Sequence, residues 1–358
     1  MTSEMASALD DVRAIERRDP GGMLRHIAEW PQMLRAGWGL TRKLSLPEAH
    51  RSAPAAAVLG MGGSAIAGDL VRAIFSDRLS IPLVSVRGYD LPAWADRQSL
   101  VIAVSHSGTT EETVSSLSAA LSRRANVAVI TTGGALGDVA KRVELPLLTY
   151  PDQTPPRAAL GYTLPMLAGL LERAGFLVAG DAEIEAAAEA VSDVIRDCGP
   201  DRPTESNPAK QLAWSLIDRL PIIEAGGFLS AVAYRWKTQM NENGKVPAWH
   251  STMSELDHNE VVGWTEPFGA THAIVALRSA HEHPELAARF ALSADIATEA
   301  GVEVREVWAP ELGPLASLLS LVHVGDFTSC YVGLARGFDP TPVDVISGLK
   351  AALAAMDV

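Results

Sequence analysis

The chain has 358 residues, 47% of them hydrophobic and 20% charged, which suits a globular protein of two ordinary domains and excludes a disordered or fibrous one. Its net charge of −13 argues against nucleic acid and anionic lipid as partners, and an anionic ligand must therefore be held by local donors. Two distant cysteines, Cys198 and Cys330, no basic and apolar leader, and no apolar run of membrane-spanning length give the expectation of a reduced, cytoplasmic protein.

Residues up to about Ala53 read as helical, with an acidic start, a break at Pro20-Gly21-Gly22 and an amphipathic stretch through Leu40. Strands are expected at Ala55–Leu59, Ile81–Val86, Leu100–Ser105 and Val127–Thr132, most of them separated by helical stretches. That alternation is the pattern of a parallel sheet covered on both faces. Leu160 to Arg196 reads as two helices, and Cys198 to Pro208 has the composition of a linker. The rhythm then resumes: strand Pro221–Ala225, helix Leu229 to about Asn243, strand His272–Ser279, helix Pro284–Ala300, strand Val302–Val307 and two closing helices. The economical division is a helical segment at 1–52 and two similar α/β domains at 53–198 and 199–358.

The most informative stretch is Val101-Ile-Ala-Val-Ser-His-Ser-Gly-Thr-Thr-Glu-Glu-Thr113, a buried strand emptying into a hydroxyl-rich loop that opens a helix. Free N–H groups at a helix N-terminus, backed by hydroxyls, suit a phosphate group. One of Thr109 and Thr110 is expected to cap the helix, but a cap needs one oxygen and leaves Ser105 and Ser107 to be explained. No Walker lysine is present, so a small phosphorylated metabolite fits better than ATP. Gly60-Met-Gly-Gly-Ser-Ala65 also opens a helix, and it needs a tight turn whatever it binds. A nicotinamide dinucleotide would want an acid ending the next strand, where Ser85-Val-Arg-Gly88 stands. That reading ranks third.

Gly60–Gly68, Ser105–Thr113 and Val129-Ile-Thr-Thr-Gly-Gly134 together resemble sugar isomerase (SIS) domains. Pro155-Pro-Arg-Ala-Ala-Leu-Gly-Tyr162, Arg235-Trp-Lys-Thr-Gln-Met-Asn-Glu-Asn-Gly-Lys245 with Glu255–Trp264, and Asp339–Lys350 narrow the resemblance to the bifunctional phosphoglucose/phosphomannose isomerases. The resemblance implies two SIS-type (flavodoxin-like) α/β domains, each a parallel sheet flanked by helices, and an aldose–ketose isomerase of hexose 6-phosphates without cofactor or metal. It implies Glu242 as the base, His258 as the ring-opening group delivered from the other subunit of a homodimer, and Arg157 and Lys350 as further catalytic groups. Phosphate contacts map to Gly63, Ser64, Ser105, Ser107 and Thr110. Two departures stand out: His106 replaces an aromatic and could alter the pocket rim, and Gly244 replaces an alanine.

The chemistry needs such groups. One carboxylate can carry a proton between C1 and C2 through an enediol, a histidine can move the ring proton, and a guanidinium can stabilise the enediolate. Residue by residue, bland roles compete: Glu242 on the surface at the end of a helix with apolar Val232, Trp236 and Met240; Arg157 in a surface salt bridge; His258 merely exposed. Lys350 reads as a snorkelling lysine flanked by Ile346 and Leu353, on a helix capped by Thr341 with Pro342 and Asp344 in its first turn. His281 and His283 are expected to be solvent-exposed rather than metal ligands. The rival to an isomerase is a sensor that binds a sugar phosphate without turning it over.

Overall fold

A computed structural model describes residues 9–151, 153–265 and 271–356. The acidic start expected of the helical lead-in lies partly in residues 1–8, outside the described residues. Beyond it run α1 (Val12–Arg18), α2 (Met23–Ala28), α3 (Trp30–Thr41) and the short α4 (Glu48–Arg51). The break between α1 and α2 falls at the Pro-Gly-Gly triplet, where Gly22 has φ +70°, a value glycine adopts readily.

The first sheet comprises β1 (Ala56–Leu59), β2 (Leu83–Val86), β3 (Leu100–Ser105), β4 (Asn126–Thr131) and β5 (Leu147–Thr149), all parallel in the order β2-β1-β3-β4-β5. Every residue of β1 and β3 is buried, because helices cover both faces. These helices are α5 (Gly62–Ile74), α6 (Glu111–Ser122) and α7 (Gly134–Arg142). Two long helices follow, α8 (Leu160–Ala174) and α9 (Asp181–Cys198), then α10 (Pro208–Leu216).

The second sheet comprises β6 (Leu220–Gly226), β7 (Trp249–Met253), β8 (His272–Arg278) and β9 (Glu303–Trp308), parallel in the order β7-β6-β8-β9. Helix α11 (Ser230–Glu242) links β6 to β7, and α12 (Pro284–Glu299) links β8 to β9. The chain closes with α13 (Pro314–Ala335) and α14 (Asp344–Ala354). Both sheets start at an inner strand, step once outward, cross back and then continue the other way. The expected pair of similar α/β halves is therefore present.

Three expectations change. Strands β5 and β7 stand where none was foreseen. The linker-like stretch after Cys198 is tied down: the buried Lys210 ammonium donates to the carbonyls of Pro200 (2.8 Å) and Arg202 (2.6 Å). Helix α13 has the length and apolar character of a membrane span, but 89% of its apolar window is buried inside the molecule. It is the central core helix, packing on α9, α10 and α11 within one apolar cluster that reaches from Leu24 through Val58, Leu167 and Trp236 to Leu321.

Candidate active site

In an open parallel sheet of this winding, ligands sit beyond the carboxyl ends of the two strands at which the chain changes direction, here β1 and β3. Gly60 follows β1, and a Cβ there would come within 3.0 Å of the Val104 carbonyl, so the two strand ends approach closely. Ser64 is buried in the first turn of α5. At the end of β3, Ser105 accepts a hydrogen bond from the Gly108 N–H at 3.1 Å and lies 2.9 Å from the Thr110 hydroxyl. Ser107 is exposed and accepts from the Thr109 N–H (3.2 Å) and hydroxyl (3.1 Å).

This bonding corrects the expected cap. Thr110 is the N-cap residue of α6 by position, yet its side chain makes no capping bond, and Thr109 makes none either. The Thr110 hydroxyl is turned to Ser105, which leaves the N–H groups of the first turn without a side-chain acceptor among the described residues. An anion is the natural partner for such donors. His106 has a buried side chain whose Nδ1 lies 3.2 Å from the Tyr150 hydroxyl.

The phosphate loops meet the Pro155-Pro156-Arg157 loop directly. A Cβ on Gly63 would lie 3.1 Å from the Pro156 carbonyl oxygen and 3.2 Å from Arg157 Cα. Arg157 is 3% exposed, so the surface salt bridge is excluded. Its Nε donates to Asn243 Oδ1 (2.6 Å), and its Nη2 donates to the carbonyls of Pro340 (2.7 Å) and Thr341 (2.8 Å). Nη1 stands 3.6 Å from Glu242 Oε2, an ion pair too long for a good hydrogen bond. That nitrogen is the one left to meet an incoming oxygen. Burial draws the guanidinium below its ordinary pKa, while the Glu242 carboxylate pulls it back up.

Glu242 is half-buried at the last position of α11, whose Val232, Trp236 and Met240 are buried as expected. Behind it lies a second layer that sequence reasoning assigned no role. Arg235 Nη2 donates to the Arg157 carbonyl (3.1 Å) and to Asp326 Oδ2 (2.7 Å), a fully buried pair. Asn243 Nδ2 donates to Ser329 Oγ at 3.0 Å. Gly244 fits this packing, since a Cβ would come within 2.7 Å of the Met240 carbonyl and 3.3 Å of Val332. The signal was available in the motif 235–245, where all residues but Trp236, Met240 and Gly244 are polar although the helix is largely buried.

Two predicted groups are not brought to this cluster. His258 ends an exposed 3-10 turn, and Asp257 beside it is held by Arg289 (2.9 Å) and Ser293 (2.7 Å). Lys350 is exposed on α14, and neither it nor His258 has a hydrogen bond or ion pair to a described residue. Its helix differs from expectation. Val343 is the N-cap, no side chain caps it, and Thr341 instead donates its N–H to Asp339 (2.8 Å) and its hydroxyl to Asp19 (3.3 Å). Ile346 and Leu353 are 42% and 47% exposed, so the apolar surface beside the lysine stem faces outward. His281 and His283 are exposed, as expected: the His281 ring lies 2.6 Å from the Leu312 carbonyl, and His283 accepts from the Glu285 N–H.

Two parallel sheets of like winding, with serine- and glycine-rich loops at the open switch point of one, define an SIS-type α/β protein. Residues 205–353 match the family model described as the bacterial phospho-glucose isomerase C-terminal SIS domain. A bifunctional phosphoglucose/phosphomannose isomerase of Caldicellulosiruptor bescii is 35% identical over 335 residues, 93% of this chain and 99% of that one. The chain belongs to the bifunctional phosphoglucose/phosphomannose isomerase family. Among solved structures, a hypothetical protein from Thermus thermophilus superposes with a TM-score of 0.72 at 19% identity, covering 99% of this chain and 95% of that one. A glucose-6-phosphate isomerase like protein from the same organism gives 0.63 at 20% identity, covering 96% and 98%.

Proposed function

We propose that the protein interconverts glucose 6-phosphate, and mannose 6-phosphate, with fructose 6-phosphate by proton transfer through a cis-enediol, with no metal or cofactor. The observation that carries the proposal is the Glu242–Arg157 pair, 3.6 Å apart, with Arg157 on the loop that also packs against Gly63. Together with the relatives' enzymatic names, it supports turnover over a purely sensing role.

The phosphate is held by the Gly63–Ser64 turn and by Ser105, Ser107 and Thr110 with the free N–H groups of α6. Glu242 takes the proton from C2 of the aldose and returns it to C1. Both epimeric aldoses give the same enediol, so one base serves both. Arg157 Nη1 faces the developing enediolate, while its other nitrogens are occupied by Asn243 and two carbonyls. His258 opens the ring, supplied by a second copy of this chain. Its exposure and its lack of partners among the described residues support that assignment, as does its separation from Glu242 in the bonding network. Lys350 completes the set from α14. The domain division at 198/199 and a cytoplasmic location belong to the same reading, and the free, buried Cys198 and Cys330 agree with a reducing compartment.

Coupled assays with the three hexose phosphates in EDTA test it. Wild type should turn over all three, and Glu242→Gln should lose about 100- to 10,000-fold in kcat. Full activity in Glu242→Gln would remove the base, and no turnover in wild type would restore the sensor. Loss of wild-type activity in EDTA would point to a metal. Mixing Glu242→Gln with His258→Ala under verified subunit exchange should regain some activity. No recovery would place His258 in its own chain's site.

A further inference from the structure

Lys245 lies three residues beyond Glu242, with φ +54°, in the left-handed region that non-glycine residues rarely occupy. Arg336 holds it there by donating to the carbonyls of Gly244 (2.9 Å) and Lys245 (3.0 Å). The side chain folds back, and its Nζ donates to three backbone carbonyls: Glu242 (2.5 Å), Pro340 (3.1 Å) and Pro342 (2.5 Å). An ammonium has three N–H donors, so its bonding is complete.

Each acceptor has a consequence. The Glu242 carbonyl is one of the acceptors a helix leaves open at its C-terminus, and Lys245 fills it. Pro340 and Pro342 belong to the strap from which α14 departs with Lys350. Arg157 donates to the same Pro340 carbonyl and to its neighbour, Thr341. Two cations thus clamp one strap of carbonyls, from opposite sides of Glu242 in the bonding network. Arg157, Glu242 and Asp339 are the charged groups around the ammonium. Burial, then Arg157, draws the lysine below its ordinary pKa, partly offset by the two carboxylates.

We infer that Lys245 is a positioning residue: its ammonium ties the end of α11, which carries Glu242, to the strap that launches the Lys350 helix, and so fixes their separation. The inference rests on Glu242 being the base. Without the ammonium, α11 loses the bond to its Glu242 carbonyl, and the strap keeps Arg157 and the Thr341–Asp19 hydrogen bond but loses its direct bridge to that carbonyl. Ångström-scale drift of a base lowers turnover by about two orders of magnitude while ground-state binding through the phosphate loops persists.

The test compares Lys245→Met, of similar length without charge, and Lys245→Arg, which keeps charge and donors, in the hexose-phosphate assay. Lys245→Met should lose about 10- to 100-fold in kcat with KM within about threefold of wild type, and Lys245→Arg should recover most of the loss. Overturning results are a kcat for Lys245→Met within twofold of wild type, a defect in KM instead of kcat, or a folded Lys245→Arg as slow as Lys245→Met. If Lys245→Met does not fold, Lys245→Arg decides: near-wild-type kcat sustains the role, and a tenfold loss from a folded protein overturns it. Glu242→Gln run alongside separates the two failures. A fully active Glu242→Gln removes the base and this role with it. An inactive Glu242→Gln beside an unimpaired Lys245→Met removes the role of Lys245 alone.

Discussion

The two sheets share a winding, and each offers a switch point between its first and third strands, yet one is open and the other closed. At the end of β1 and β3, the close-packed glycines Gly60, Gly63 and Gly108 stand with the hydroxyls of Ser64 and Ser105, and the first turn of α6 offers N–H groups with no side-chain acceptor among the described residues. At the corresponding end of β6, a Cβ on Gly226 would meet Leu286 Cδ1 at 2.8 Å, because α12 drops that side chain onto the strand end. Met253, Leu256, Ala276 and Phe290 complete a small apolar cluster there. The winding fixes where a ligand can sit; the side chains at that place decide whether one does. The second half carries Glu242 at the end of the helix after β6 and Lys245 three residues beyond it.

The largest effects should come from matched glycines. Gly108 has φ +66°, and a Cβ there would lie 1.8 Å from the Gly133 carbonyl oxygen. Gly108→Ala should cost about 3 kcal/mol or more and lower kcat/KM about 100-fold, by strain, overlap and displacement of the loop. Gly227, after β6, has φ +55°, but its nearest neighbour is Leu286 Cδ1 at 3.9 Å. Gly227→Ala should cost only the backbone strain, about 1–2 kcal/mol, and leave kcat/KM alone. Urea denaturation and steady-state kinetics on both variants check this. Equal kinetic losses would mean that the second switch point is a site too.

A smaller effect, of a few kcal/mol, separates the two sheets by pH. Glu224 is 4% exposed in the middle of β6, and burial, with Glu260 and Asp257 adding repulsion, pushes its carboxyl up to about 8. The folded state binds this proton more tightly than the unfolded one, whose carboxyl has the ordinary value of 4.5. Its favourable contribution is therefore full below about pH 4.5 and is lost as pH rises towards about 8, at up to about 1.4 kcal/mol per unit. Glu224→Gln should match wild type near pH 5 and exceed it in stability at pH 8–9. Parallel stability curves for the two proteins across that range would refute the assignment.

How far the sequence could be read follows the same division. The first sheet's buried strands are continuous apolar runs, so Leu100–Ser105 was read to the residue, and its loops announced themselves through Ser, Thr and Gly. β7 was missed because Trp249-His-Ser-Thr-Met253 is an edge strand bonded only to β6, with Trp249, His250 and Thr252 exposed and no clean alternation. The strap partners of Arg157 and Lys245 were invisible for a different reason. They are backbone carbonyls at 340–342, and a carbonyl has no residue type. The Thr110 and Thr341 caps failed alike: each hydroxyl had another partner, Ser105 five residues back or Asp19 far along the chain, that the helix-end pattern does not rank.

The smallest prediction sharpens the comparison most, because it sets serine against serine. Ser105 and Ser251 are both buried on strands, and each hydroxyl has defined partners. Ser105 serves the Gly108 N–H and Thr110, whereas Ser251 donates to the Glu260 carboxylate at 2.7 and 2.6 Å. Alanine at either position should cost about 1–2 kcal/mol, since each removes a hydrogen bond and strands a partner. Only Ser105→Ala loosens the loop that holds the phosphate, and it should raise KM for fructose 6-phosphate about tenfold. Ser251→Ala should leave KM where it was. Calorimetry and initial rates on the two variants decide the matter. Equal stability losses with a KM change confined to Ser105→Ala would show that the same side chain, at similar cost, serves binding at the end of β3 and only packing in the middle of β7.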